Sequence, residues 1–258
     1  MCIHTSKKGE QMEIVSIVNR KGGVGKTATA QALGAGLIKK GRSVLFIDLD
    51  SQANLSYALG ADPGKPGIME VLTGEATASD AIQKTEQGEL IPGTEALAAA
   101  DTVIDGTGKE YRLKEALESL NYDYIVIDTP AQLGTITVNA LTAANYAIIP
   151  VQAEIYSLQG IGRINEAVSV VKKYCNKDLY IKGILLTRYN SRAVLSRDML
   201  SNLEEAAMQL KTKVFKTPIR ECISVKEAQA VQQDIFTYAP KSNAAEDYSE
   251  FIKEFLKA

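Results

Sequence analysis

The chain has 258 residues, a formal net charge of −2, 45% apolar residues and 23% charged residues. This length suits one α/β domain with a large core, the composition is that of an ordinary globular protein, and no run is long and apolar enough to span a bilayer. The single histidine, His4, argues against a His-built catalytic or metal site; Cys2, Cys175 and Cys222 are far apart and form no C-x-x-C pair, which fits a reducing cytoplasm.

Residues 1–12 read as a flexible tail ahead of a domain over 13–258, without the apolar core of a signal peptide. Ile14–Asn19 is short, β-branched and bounded by polar residues, the pattern of a buried strand. Next comes Lys21-Gly22-Gly23-Val24-Gly25-Lys26-Thr27, which fits the phosphate-loop pattern G-x-x-x-x-G-K-[ST] once its first position is relaxed to Arg20. Thr27–Lys40 reads as a helix, so the glycines lie between a strand and a helix. There, backbone N–H groups and a helix N-terminus can cradle phosphate oxygens. Lys26 would hold the β- and γ-phosphates and Thr27 would ligate Mg²⁺. Lys21 puts a second cation on the loop, either solvated or beside a triphosphate where it could stabilise transition-state charge.

Two further apolar strands end in carboxylates: Val44–Asp50, with Asp48 and Asp50, and Tyr124–Asp128. Parallel strands buried on both faces read this way, and their carboxyl ends line the ligand crevice of an open α/β sheet. Asp128 would accept a hydrogen bond from a Mg²⁺-bound water. Of Asp48 and Asp50, one could support the metal shell while the other orients the attacking water.

Ser51–Glu110 is looser, with a Pro63–Gly67 turn and short helices at Gly67–Leu72 and Asp80–Ile82. A helix over Tyr111–Leu120 precedes the Asp128 strand. Then follow a helix at Thr135–Ala144, a strand at Tyr146–Val151, a helix at Gly160–Tyr174 and a strand at Ile181–Thr187. A helix at Arg197–Leu210, a short strand around Val214 and helices at Val225–Gln232 and Ala244–Leu256 complete the chain. Alternating strands and helices predict a mostly parallel, twisted sheet covered on both faces, as one domain. Between Lys182 and Lys226 nine basic residues face four acidic ones, a net +5 that leaves the remainder at −7. That local excess is either a mixed solvated surface or a phosphate-backbone surface.

At these motifs the chain resembles the ParA/MinD family of deviant-Walker P-loop ATPases, and most of all its small ParA partition proteins. The resemblance covers nearly the whole chain. It rests on the loop Lys21–Thr27, on Phe46–Leu55, on Tyr124–Pro130, and on Ile149–Glu154, Gly183–Thr187 and Glu227-Ala228. It implies ATP and Mg²⁺ as cofactors, held by Gly22, Gly23, Val24, Gly25, Lys26, Thr27 and Ala28, with Thr27, Asp48 and Asp128 supporting the metal. Lys21 would reach the partner's nucleotide in an ATP-sandwich homodimer, and Asp50 would position the hydrolytic water. Arg188 and Pro218 would lie near the adenine. The family's ATP dimers bind DNA nonspecifically. On that basis the basic segment becomes a DNA surface, with Arg192, Arg197, Lys216, Arg220 and Lys226 as candidates, a ParB-like centromere-binding protein as partner, and a nucleoid-associated cytoplasmic location.

The sequence departs from the family at Ala28, where a second threonine is usual; one lost hydroxyl contact is worth about 1 kcal/mol. Ser51 replaces a common proline, Arg220 stands in place of a proline, and Ala131-Gln132 replaces Pro-Ser. The short stretch before the first strand leaves no room for an operator-binding helix-turn-helix. The last helix carries an apolar stripe, Tyr248, Phe251, Ile252, Phe255 and Leu256, with helical spacing. It reads as a packing face, the alternative being a membrane-surface helix of the MinD kind. A stable membrane association is not expected. Nor is a nitrogenase-type cluster carrier, because its bridging cysteines are missing.

Overall fold

The computed structural model describes residues 12–154, 157–190 and 194–257, excluding the side chains of 157–159 and 194–199. The expected tail, apart from Met12, and Arg192 lie outside the described residues; Arg197 lies on a described helix, but its side chain does not belong to them.

Seven strands form one sheet: β1 (Glu13–Ile17), β2 (Val44–Asp48), β3 (Gln83–Thr85), β4 (Gly88–Ile91), β5 (Tyr124–Asp128), β6 (Tyr146–Gln152) and β7 (Tyr180–Thr187). Their spatial order is β3-β4-β2-β5-β1-β6-β7, and every pair is parallel except the β3–β4 hairpin. The helices in chain order begin with α1 (Lys26–Lys39), α2 (Asn54–Leu59), α3 (Ile68–Thr73), α4 (Ala78–Ala81), α5 (Ala100–Val103) and α6 (Arg112–Leu117). They continue with α7 (Thr135–Ala143), α8 (Ser157–Tyr174), α9 (Val194–Gln209), α10 (Ile223–Ala230), α11 (Ile235–Tyr238) and α12 (Asn243–Lys257).

The central strands are buried at nearly every position and mostly apolar, because alternate residues enter different cores. Ile14, Leu45, Ile47, Ile125 and Ile127 pack with residues of α3, α6, α7 and α8 on one face. Val15, Ile17, Val44, Phe46 and Val126 pack with α1, α2 and α12 on the other. α1 comes very close to β2: a Cβ on Gly34 would fall 2.1 Å from Phe46 Cε1, so only glycine lets this helix lie against that ring. Tyr248, Phe251, Ile252 and Phe255 of α12 are buried in the same core, and Leu256 is partly exposed. The apolar stripe of the last helix is therefore a packing face, used up within the fold. No helix among the described residues is long and apolar enough to cross a membrane.

The sequence reading misses the edge hairpin β3–β4, whose three- and four-residue strands carry too few alternations to register. The segment around Val214 forms only isolated bridges, Ile184 to Val214 and Tyr189 to Arg220, in place of the expected strand. Pro218 lies between them and has no N–H to offer the ladder.

Candidate functional site

The carboxyl ends of β1, β2 and β5 lie side by side, with Ile17 paired to Asp128 and Asp48 paired to Asp128. β1 runs into the glycine loop. Gly23 and Gly25 sit at φ 76 and 84, a region that side chains disfavour, and Gly25 is the N-cap of α1. Three neighbours brace the loop. Gln152 Nε2 donates to Gly23 O at 2.7 Å, Thr187 Oγ1 lies 2.8 Å from Val24 O, and Asn19 Oδ1 accepts the Lys21 N–H at 3.0 Å. Asn19 is itself fixed by donating to Pro150 O at 2.6 Å. The ends of β6 and β7 thus pre-shape the cradle, which limits the ordering needed when an anion enters.

Lys26 is buried. Burial lowers its pKa, opposed by the charges of Asp128 and Asp50. Thr27 Oγ1 donates to Asp128 Oδ2 at 2.6 Å. Asp128 is fully buried, and its Oδ1 accepts no hydrogen bond among the described residues. Burial first and the facing Asp48 second push its carboxyl pKa up. A buried carboxylate with one vacant oxygen, beside a threonine hydroxyl, is a donor set that a hydrated divalent cation fits.

Asp48, implied as a support for the metal shell, is engaged on both oxygens. Its Oδ1 accepts Asp50 N at 3.0 Å, and its Oδ2 accepts Ser56 N at 2.8 Å and Ser56 Oγ at 2.7 Å. Its contacts describe an anchor for the turn that carries Asp50. Asp50 lines the cavity and spends one oxygen on Gln52 N at 3.0 Å. The same turn holds Ala53 at φ 50, a conformation that costs a non-glycine residue about 1 kcal/mol or more.

A cavity of about 890 Å³ opens over the loop. Gly22, Gly23, Gly25, Lys26, Thr27 and Ala28 line it; Lys21 does not. Lys21 Nζ is instead ion-paired to Glu154, just beyond β6. At the far end Arg188 lines the cavity, tied to Glu221 at 2.8 Å, while Pro218 is absent from the lining and the adjacent Ile219 is present.

The structure divides the expected basic face. Arg220 donates to Asp247 at 2.6 Å and Glu246 at 2.8 Å, both on α12, so its guanidinium is already engaged by carboxylates. In the free chain Arg220 ties the cavity wall to α12. Lys182 stacks over Tyr146 and Phe255 at 4.1 and 4.3 Å, and Lys213 pairs with Glu254. Lys216 and Lys226 are exposed and carry no ion pair among the described residues, and Lys226 also lines the cavity. Sequence reasoning missed Asn19, Ser56 and Thr187 as supports, since single polar residues at strand ends and in short helices carry no pattern.

A parallel sheet whose first strand feeds a glycine loop, with lysine and threonine facing a buried carboxylate on a neighbouring strand, defines a P-loop nucleotide-binding protein. Over residues 12–181 the sequence matches the family model described as AAA domain. It is 40% identical over 249 residues to the sporulation initiation inhibitor protein Soj of Bacillus subtilis (strain 168), covering 94% of this chain and 97% of that one. The chain belongs to the Soj/ParA family of partition ATPases. The chromosome partitioning protein ParA of Myxococcus xanthus (strain DK1622) is 35% identical over 251 residues, covering 95% of this chain and 88% of that one.

Solved structures share the fold. Cobyrinic acid a,c-diamide synthase from Mycobacterium smegmatis, with bound ATP analogue and magnesium, superposes with a TM-score of 0.83 at 36% identity, over 96% of this chain and 95% of that one. Apo McdA from Cyanothece gives 0.84 at 28% identity, over 95% and 100%.

Proposed function

We propose that this protein is a ParA-type ATPase that partitions DNA, assembling on it as an ATP-bound homodimer and leaving it after hydrolysis. The observation that carries the reading is the placement of Lys26, Thr27 and Asp50 around one cavity, with Asp128 buried behind Thr27 and hydrogen-bonded to it, under a loop that bears the extra lysine Lys21. The glycine loop and the N-terminus of α1 would receive the phosphates. Lys26 would neutralise their charge from its buried position. Thr27 and Asp128 would hold Mg²⁺, which would supply charge neutralisation to the phosphates. Asp48 supports the chemistry at one remove, by fixing the Asp50 turn.

Asp50 would orient the attacking water. Lys21 would leave Glu154 and reach the nucleotide of a second copy, making a self-complementary two-fold interface. Pairing those lysines with triphosphate oxygens in a desolvated seam favours association. DNA would be held through backbone phosphates by Lys216 and Lys226, together with Arg192 and Arg197. Presenting two copies of that surface steepens the salt dependence, by roughly 0.9 in log–log slope per phosphate neutralised. Intrinsic turnover would be slow, with a ParB-like partner completing the active state. A nucleoid location follows from DNA binding.

A DNA-retention titration in ADP, ATP and a nonhydrolysable analogue tests this. Retention is expected in ATP and in the analogue only. Equal retention in ADP would remove the nucleotide switch, and ATP-dependent capture on vesicles in place of DNA would favour a membrane-cycling role.

A further inference from the structure

The segment between β4 and α5 touches both loops that frame the cavity. At its start Gly93 donates its N–H to Ser56 Oγ at 2.9 Å. A Cβ there would fall 2.8 Å from Asp48 O and 2.9 Å from Asp50 O, so this backbone lies flush against the turn that carries Asp50. At its end Asp101, on α5, meets the loop that follows Asp128. Asp101 Oδ1 accepts the Thr135 N–H at 2.7 Å. The carboxylate also fills the space beside Gly134, where a Cβ would meet Oδ2 at 2.6 Å and Oδ1 at 2.9 Å.

The N-cap of α7 is Gly134, just before Thr135, and it has no side chain with which to cap the helix. The missing cap comes from Asp101, 34 residues earlier in the chain, a carboxylate at a helix N-terminus where negative charge is favoured. The Thr135 hydrogen bonds hold this carboxyl below its usual pKa range, so it stays charged at neutral pH. Ala98 and Asp101 on one side, and Ala131 and Gln132 on the other, line the same cavity.

We propose that Asp101 is a positioning residue for hydrolysis: it pins the loop 130–133 at the cavity wall and, through segment 93–101, ties that loop to the turn bearing Asp50. It acts through Thr135 and Gly134. The two loops flank the phosphate end, so a shift of either displaces Asp50 relative to Asp128 and Lys26. The small errors in geometry that result are felt in the chemical step more than in binding. The inference rests on the ATPase reading above.

The test uses the full chain with Asp101→Ala, Asp101→Asn, Gly134→Ala and the Asp101→Ala/Gly134→Ala double variant. Turnover at saturating ATP, ATP affinity and the thermal midpoint are measured for each. Asp101→Ala removes the pin, and the Gly134→Ala methyl displaces it from the opposite side. Each is expected to lower kcat about fivefold or more, with ATP affinity held within about twofold. The double variant is expected to match the worse single one, because the methyl then occupies space the carboxylate has left. Asp101→Asn, which keeps an acceptor oxygen, is expected to recover most of kcat. An unchanged kcat in Asp101→Ala, a loss that merely follows a lowered thermal midpoint, or single effects that multiply in the double variant would overturn the proposal alone. A parent chain without ATP turnover would overturn the ATPase reading and this proposal with it.

Discussion

Lys21 and Glu154 form an ion pair within one chain, across 133 residues of sequence. The lysine that distinguishes this loop from a plain phosphate loop is therefore held away from the nucleotide cavity by a carboxylate at the end of β6. Both side chains are partly exposed, which keeps the pair weak and exchangeable.

If Lys21 must leave Glu154 to reach a second copy, removing the carboxylate favours assembly. Glu154→Gln is expected to tighten the ATP-dependent dimer by up to about 25-fold, the worth of two exposed ion pairs, one from each subunit. Lys21→Ala is expected to abolish that dimer while leaving monomer ATP binding. Sedimentation with and without ATP measures both, and an unchanged dimer in Lys21→Ala would refute the cross-subunit contact.

Asp50 offers one oxygen to Gln52 and faces the cavity, so its loss should affect the chemical step and spare the fold. Asp50→Ala is expected to slow phosphate release by about a hundredfold or more and to leave the ATP form on DNA. Hydrolysis at the parent rate would take the water-positioning role away from it.

Arg220 and the free lysines should separate stability from DNA binding. Arg220→Ala leaves Asp247, a buried carboxylate, without its main partner. It is expected to lower stability by about 1–2 kcal/mol, reduced from a fully buried pair because the arginine is partly exposed. Lys216→Glu and Lys226→Glu should instead weaken DNA retention with an unchanged thermal midpoint. Filter binding at two salt concentrations, read beside thermal melts, distinguishes the two classes.

Gly34 gives a test of the core alone. Its Cβ would overlap Phe46 Cε1 at 2.1 Å and Cζ at 2.2 Å, and the ring is fully buried. Gly34→Ala is expected to cost about 1–3 kcal/mol in urea unfolding, partly restored by Phe46→Leu. No loss of stability would mean that α1 can move away from β2.

The elements around the loop were the most legible in the sequence, because periodicity and turn chemistry agree there: an apolar strand, glycines and then a helix. The β3–β4 hairpin was not, since Gln83–Thr85 is too short for a pattern and pairs only because β4 extends the parallel sheet beside β2. The candidate site divides along the same line. Lys26, Thr27 and Asp128 could be named from motif spacing, and Asp48, Arg220 and Asp101 could not be given their contacts, because their partners are distant in sequence.

By itself the sequence determined the nature of the strands, the loop that follows the first of them and the set of charged groups available at the strand ends, all consequences of local pattern and backbone chemistry. Only the tertiary structure decided how those charges are used. A carboxylate's role depends on which donors reach it: Asp128 keeps an oxygen vacant, Asp48 gives both of its oxygens to the Asp50 turn and to Ser56, and Glu154 takes Lys21. Distance and desolvation set those choices, and both arise when remote segments pack together.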